Sequence, residues 1–275
     1  MLPSRYLIGV DSGGTAFDTM NLKHLNAFIP AALEVWHMRA QVAKRFEDIE
    51  QAINLYSSVR GVNRFPGLLE AFDLLEAACP MDPDVPDHAD LRAFVQQSSL
   101  YTPSALREWM KTHPSGELEM VMAWSDRADE LFERACEGLT PYEGVKEALI
   151  SANHAAAIAV VSSATRENVN REWLGSGLTP YVDMIMSEDD GNKTEQLIKA
   201  KAQCYGDVQM LMIADTENDC VLAHQAGARF YPIIPGDEAA SWKTFQKDIL
   251  PMFLIGNYTA EVEAQYLKRL QEKNA

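Results

Sequence analysis

Residues 6–18 read YLIGVDSGGTAFD, and the order of residue types in this stretch decides the fold. Tyr6 to Val10 form an apolar run too short for a helix and bounded by Pro3 and glycines, which is the pattern of a buried strand. Asp11 follows at once, then Ser12, Gly13, Gly14 and Thr15. An acid at the lip of a buried strand either caps a turn or carries chemistry. One aspartate alone does not separate the two.

Outward from this strand the texture changes. LKHLNAFIPAALEVWHMRAQVAKRFEDIEQAINLYSS (residues 22–58) places apolar residues three and four apart, which predicts helices, with Pro30 at a break or a first turn. Further helices are predicted near 67–78, 87–98, 103–112 and 117–137. They are separated by the turn-forming CPMDPDVPDH and THPSGE. From about residue 141 the rhythm becomes strand, helix, strand. AAIAVV (156–161), YVDMIM (181–186), VQMLMIA (208–214) and ARFYPII (228–234) read as strands with helical segments between them. Short apolar strands alternating with helices predict an α/β fold, a Rossmann-like core whose mostly parallel sheet is covered on both faces. The core is expected over residues 1–20 and 140–275, with an all-helical domain over 21–139 inserted after the first strand. TAEVEAQYLKRLQEKN at the C-terminus reads as a solvated surface helix.

Composition narrows the function. Lys and Arg number 24 against 40 acids, a formal charge of −16, so nothing offsets repulsion from a nucleic-acid backbone. A small anionic substrate stays compatible, because a few placed cations dominate locally. Cys79, Cys136, Cys204 and Cys220 show neither a disulfide framework nor a close metal-binding spacing, which points to a reducing, cytoplasmic setting. No apolar run is long enough to span a membrane, and the N-terminus lacks the apolar core of a signal peptide. Oligomeric state is not legible, since amphipathic helices pack on a core or on a partner with one pattern.

Ligands of open α/β sheets bind beyond the carboxyl ends of the strands. Asp11 stands there after LIGV, Ser162 and Ser163 after IAVV, and Asp215 after LMIA with Glu217 and Asp219 close behind. Lys193 opens the helix after VDMIM. Singly, these are turn, cap and solvent residues. Together they supply carboxylates for Mg2+, a hydroxyl, an ammonium and backbone donors for phosphoryl oxygens, with Asp11 as nucleophile.

The series VDSGGT, IAVVSSAT, Lys193 and IADTEND resembles the four motifs of the haloacid dehalogenase-like hydrolase superfamily, in order and over essentially the whole chain. The resemblance implies Asp11 as nucleophile with Thr15 beside it, Ser162 as the phosphate-binding hydroxyl and Lys193 as the conserved cation. It implies Mg2+ held by Asp11, Asp215, Asp219 and the backbone carbonyl of Gly13. Gly14 and Ser163 are expected to meet the substrate. The helical insertion resembles a C1-type cap, which closes over a small phosphorylated substrate.

One position departs from the pattern. Most phosphatases of this superfamily carry a second Asp two residues after the nucleophile, and it protonates the leaving oxygen. Here Gly13 stands in its place and cannot transfer a proton. Three readings follow. The leaving group needs little protonation, or the acid comes from the cap. Alternatively the chain resembles the family's phosphonate-cleaving members, which form a Schiff base on a cap lysine; Lys23, Lys44 and Lys111 are the candidates. The third is a catalytically impaired phosphate-binding or regulatory module. Within the cap, LYSSVRGVNRFPGL (55–68) offers Arg60 and Arg64 as substrate-binding residues. Trp36, Trp109 and Trp124 read as core filling, and the His88 segment as a loop.

Overall fold

The computed structural model describes residues 5–57 and 60–273. The chain divides into two compact units. One comprises the residues up to Thr19 together with those from Gly138 on, and the other is Met20–Glu137.

The first unit is built on five parallel strands in the order β3-β2-β1-β4-β5. They are β1 (Tyr6–Val10), β2 (Ala157–Val160), β3 (Met184–Ile185), β4 (Gln209–Ala214) and β5 (Arg229–Pro232). Alternation sorts each strand onto two apolar faces. Ile8, Val10, Ile158, Val160, Leu211 and Ile213 enter one buried cluster. Leu7, Ala157, Ala159, Met210 and Met212 enter the other. A strand buried on both sides must be apolar at every position, which is why these segments read as continuous runs. Val10 lies opposite Val160 on one neighbour and Ile213 on the other, so three strands end at one level. The chain leaves β1 towards β2 on one side and later crosses to β4 on the other. That reversal opens a crevice at the carboxyl ends of β1 and β4.

The second unit is all helical. It holds α1 (Thr19–Lys23, whose first residue belongs to the sheet unit), α2 (Ile29–Trp36), α3 (Ala40–Tyr56), α4 (Arg64–Ala78), α5 (Ala89–Gln97), α6 (Pro103–Thr112) and α7 (Gly116–Ala135). Pro30 stands in the first turn of α2, one of the two places expected for it, and the chain runs into it without a break. A π-helical turn at His24–Phe28 precedes it, where the Ile29 N–H reaches the His24 carbonyl. A proline ring collides with the carbonyl four residues back, and widening the turn relieves the collision. Pro251 repeats the device behind the π turn Phe245–Ile249. Trp124 fills the helical core, as its composition predicts: it is buried, packs edge-on against Phe28 and donates its indole N–H to the Phe28 carbonyl at 3.0 Å. His24 Nδ1 and Glu50 Oε1 meet at 2.6 Å in the same interior. Burial pushes the Glu50 carboxyl up to about 8 and holds His24 well below its ordinary value.

The sheet is covered by α8 (Val145–Asn153), α9 (Arg166–Gly175), α10 (Lys193–Ala202), α11 (Glu217–Gln225), α12 (Glu238–Thr244), α13 (Leu250–Leu254) and α14 (Ala260–Lys273). Two expectations are corrected. The YVDMIM strand contracts to Met184–Ile185, because Thr179–Tyr181 form a 3-10 turn and only two residues pair with β2. The C-terminal helix has the solvated, charged face expected of it, but one stripe of it is docked as well. Leu270 is fully buried among residues of β4 and β5, and Glu263 is buried and accepts from the Phe230 N–H at 3.1 Å. Its many charges hid the apolar stripe.

Trp242 links this packing to the strand end. The indole is fully buried and donates to the Thr15 carbonyl at 2.8 Å, across 227 residues of sequence. Trp242→Phe keeps an aromatic ring, leaves a small cavity and orphans that carbonyl. Equilibrium denaturation is expected to show a loss of ~1–3 kcal/mol for this variant. An unchanged midpoint and slope would remove the indole as an anchor of the Asp11 turn.

Candidate functional site

The turn after β1 is held from several sides. Asp11 N–H continues the sheet ladder to the Ile213 carbonyl at 2.9 Å. The N–H groups of Ala16 and Phe17 both reach the Ser12 carbonyl, and Gly14 N–H reaches that of Phe17. Gly14 has φ +79°, a left-handed conformation that a side chain resists. Ser12 Oγ donates to the Glu172 carboxylate and accepts from Trp173 Nε1 at 2.9 Å. Burial, partly offset by the Ser12 hydroxyl, pushes Glu172 up to about 6. This Glu172–Ser12–Trp173 contact has no sequence signature, since α9 is more than 150 residues from Ser12.

Asp215 follows β4 directly and accepts from Thr15 Oγ1 at 3.1 Å. Asp219 sits in the first turn of α11, where it and the N-cap Thr216 bond each other twice. Asp219 N–H donates to Thr216 Oγ1 at 3.1 Å, and that hydroxyl donates to Asp219 Oδ2 at 2.7 Å. Lys193 begins α10 behind an Asn192–Glu195 capping box. Its ammonium lies 3.0 Å from Asp11 Oδ2 and 2.7 Å from Asp219 Oδ1. Gln196, one turn further and fully buried, accepts from the Ser162 N–H and donates to the carbonyls of Ser162, Ser187 and Gly191. It thereby ties the end of β2 to the loop that presents Lys193.

The structure therefore brings together Asp11, Thr15, Lys193, Asp215 and Asp219. Carboxylate oxygens from the three aspartates lie within 4.8 Å of one another, and all three residues are buried. Burial pushes Asp11 up to about 7, with repulsion from Asp219 and Asp215 adding to it and Lys193 pulling the other way. Burial also works against the Lys193 ammonium, but Asp11 and Asp219 outweigh it and hold the lysine above its ordinary value. Three acids around one ammonium leave an excess of buried negative charge. A hard divalent cation with oxygen ligands, such as Mg2+, fits that donor set.

Ser162 is buried at the end of β2, and its hydroxyl accepts from the Ala164 N–H at 3.2 Å, while Ser163 is exposed. Gly13 is more constrained than the sequence suggests. A Cβ there would sit 2.5 Å from Thr19 Oγ1, so a threonine hydroxyl fills the space where a second acid would begin. Thr19 carries no motif that could have marked it. Arg60 and Arg64 belong to the helical unit and are engaged inside it. Arg60 is buried and donates to the Leu55 carbonyl at 2.9 Å. Arg64 pairs with Asp129 and the Ser125 hydroxyl and lies over the Phe28 ring. Among the described residues no helix is long and apolar enough to cross a membrane.

A family model described as haloacid dehalogenase-like hydrolase matches residues 84–233. No curated protein sequence matches the chain significantly. Solved structures share the fold at low identity. A protein provisionally assigned as a phosphoglycolate phosphatase, from Lactobacillus delbrueckii subsp. bulgaricus, is 14% identical with a TM-score of 0.52, covering 93% of this chain and 99% of its own. One provisionally assigned as a beta-phosphoglucomutase, from Thermotoga maritima, is 16% identical with a TM-score of 0.50, covering 83% and 85%. A haloacid dehalogenase-like family hydrolase from Streptococcus pneumoniae is 13% identical with a TM-score of 0.50, covering 88% and 91%.

Two outcomes are expected of this geometry. Gly13→Asp alone should lower stability by ~1–3 kcal/mol, because Thr19 has to move. Adding Thr19→Ala should recover most of that loss, giving a coupling of ~0.5–3 kcal/mol in a double-mutant cycle. Strict additivity would mean the two positions do not compete for space. The second outcome concerns pH. Asp11 rises from 3.8 to about 7 on folding, so the metal-free native state binds more protons than the unfolded one, and stability falls as pH rises between these values. Glu172 and Glu50 act in the same sense, and the lowered His24 acts oppositely. The difference made by Mg2+ isolates the aspartate site. Thermal melts should show stabilisation by Mg2+ at pH 8 that fades towards pH 5; equal stabilisation at both would place the ion elsewhere.

Proposed function

The chain belongs to the haloacid dehalogenase-like hydrolase family, and from that premise we propose that it is a Mg2+-dependent hydrolase of a small phosphorylated molecule, acting through a phosphoryl group carried on Asp11. The observation that carries the reading is the buried constellation of Asp11, Asp215, Asp219 and Lys193 at the carboxyl ends of β1 and β4. Asp11, Asp215, Asp219 and the Gly13 carbonyl would hold Mg2+. When bound, that ion supplies positive charge to offset the carboxylates and the phosphoryl oxygens.

In this reading one oxygen of the ionised Asp11 carboxylate attacks phosphorus, and the bond from phosphorus to the leaving oxygen breaks. Water then attacks the same phosphorus, which releases inorganic phosphate and returns the Asp11 carboxylate. Lys193 favours the ionised nucleophile and afterwards faces the charge gathered on the phosphoryl oxygens. Thr15 steadies Asp215, and Ser162 stands where the resemblance places a phosphate-binding hydroxyl. Gly13 gives the leaving oxygen no proton. The reading therefore favours substrates whose leaving oxygen is a weak base and departs without an acid.

The phosphonate reading needs a cap lysine that is easily deprotonated. Lys44 is exposed and hydrogen-bonded to Asp48, which raises its pKa. Lys111 is exposed against Glu108. Lys23, partly buried above the Phe28 ring, is the lysine that reading would use.

Phosphate release from a graded panel of esters, with Mg2+, tests the proposal. Release should fall to background in Asp11→Asn. Simple alkyl esters should run ~10²–10⁴-fold slower than aryl or acyl phosphates, which is the usual size of a missing general acid. Release that survives Asp11→Asn would sink the nucleophile. Phosphonates cleaved in place of esters, with loss in Lys23→Met, would replace this reading with Schiff-base chemistry.

A further inference from the structure

A second cluster of metal-ligating side chains lies in the sheet unit outside the aspartate site. Cys220 and His224 are four residues apart on α11, and this spacing puts both side chains on one face of the helix. Glu263 reaches the same point from α14. Donor atoms of the three lie within 4.8 Å of one another. Cys220 Sγ is 3.8 Å from His224 Nε2, which in turn is 2.5 Å from Glu263 Oε1. The thiol and the carboxylate are buried, and the imidazole is half-exposed, so the cluster has a dry floor and an opening to solvent.

We infer that Cys220, His224 and Glu263 form a binding site for a divalent transition-metal ion of the zinc class, fastening α14 to α11. The donor set is mixed: a thiolate, an imidazole and a carboxylate suit zinc, whereas the all-oxygen aspartate site suits Mg2+. The spacing is close to what such an ion needs. Ligand distances of about 2.3 Å for sulfur and about 2.0 Å for nitrogen put the two atoms about 3.5 Å apart in a tetrahedron. The ion takes the place of the proton that His224 and Glu263 share, and the half-exposed ring has room to move back by the fraction of an ångström this requires. Water supplies the fourth ligand on the open side.

The carboxylate is also held as a ligand of this kind usually is. Phe230 N–H reaches Glu263 Oε1 at 3.1 Å, and Arg229 Nη1 binds the other oxygen, Oε2, at 3.1 Å, which fixes its orientation. The spacings among the four cysteines pointed away from metal. The informative spacing is that of Cys220 to a histidine, completed by an acid far away in sequence.

Cobalt(II) titration of the full chain separates the two sites, because only a sulfur ligand gives an intense thiolate-to-cobalt charge-transfer absorption. The wild type should develop that absorption to saturation at one equivalent. Cys220→Ser should abolish it, and His224→Gln, at a half-exposed position, should weaken binding by at least about 10-fold while keeping the circular dichroism of the wild type. Asp215→Asn should leave the absorption intact. No charge-transfer band at stoichiometric cobalt, a band that survives Cys220→Ser, or an affinity unchanged in His224→Gln would each overturn the site. Loss of the band in Asp215→Asn, at a site with oxygen donors only, would mean that the band does not report the Cys220 cluster by itself and would overturn the site equally.

Discussion

Three carboxylates and one ammonium share a site from which water is almost excluded, and the rest of the sheet unit is arranged around that imbalance. Asp11, Asp215 and Asp219 are each within 5% of full burial, and the Lys193 ammonium stands between Asp11 and Asp219. Buried charges of one sign are tolerated only where geometry is enforced and compensation is near. Enforcement comes from register: Val10 and Ile213 are partners in adjacent strands, so the acids that follow them emerge side by side. Compensation comes from Lys193, whose position depends on Gln196 tying its loop to the end of β2. The remaining negative charge is what suits the site to a cation.

The same constraint explains where polar groups are buried elsewhere in the unit. The Asp11 turn carries Ser12, whose hydroxyl meets a buried glutamate and an indole, and Thr15, whose carbonyl meets another indole. Each contact pins a loop that would otherwise be free to relieve the repulsion by moving outward. Two of the largest buried side chains, Trp173 and Trp242, thus serve the site through their N–H groups as well as through apolar area.

What could be read in the sequence follows from what is local. Strands buried on both faces announce themselves as apolar runs, and residues placed directly behind them must lie at the sheet edge, so the placement of Asp11, Ser162 and Asp215 was legible, as was Lys193 at the start of a helix. Contacts made by shape and distance were not. The indole of Trp242 reaches Thr15 from 227 residues away, Thr19 fills the space beside Gly13, and Glu263 is buried on the inner side of a helix whose composition is that of a solvated surface. Arg60 adds a contact of the same hidden kind: its guanidinium donates to the backbone carbonyl of Leu55 near the end of α3.

Gly13 brings these threads together. Read as a sequence, the glycine is an acid lost from a motif. In the fold, the Thr19 hydroxyl occupies the volume in which an aspartate would begin its side chain. A buried hydroxyl presents a polar surface to the Asp11 turn while offering no acid of useful strength at neutral pH. The proposed chemistry, in which the first bond breaks without a proton from this position, rests on that occupied space as much as on the absence of the acid.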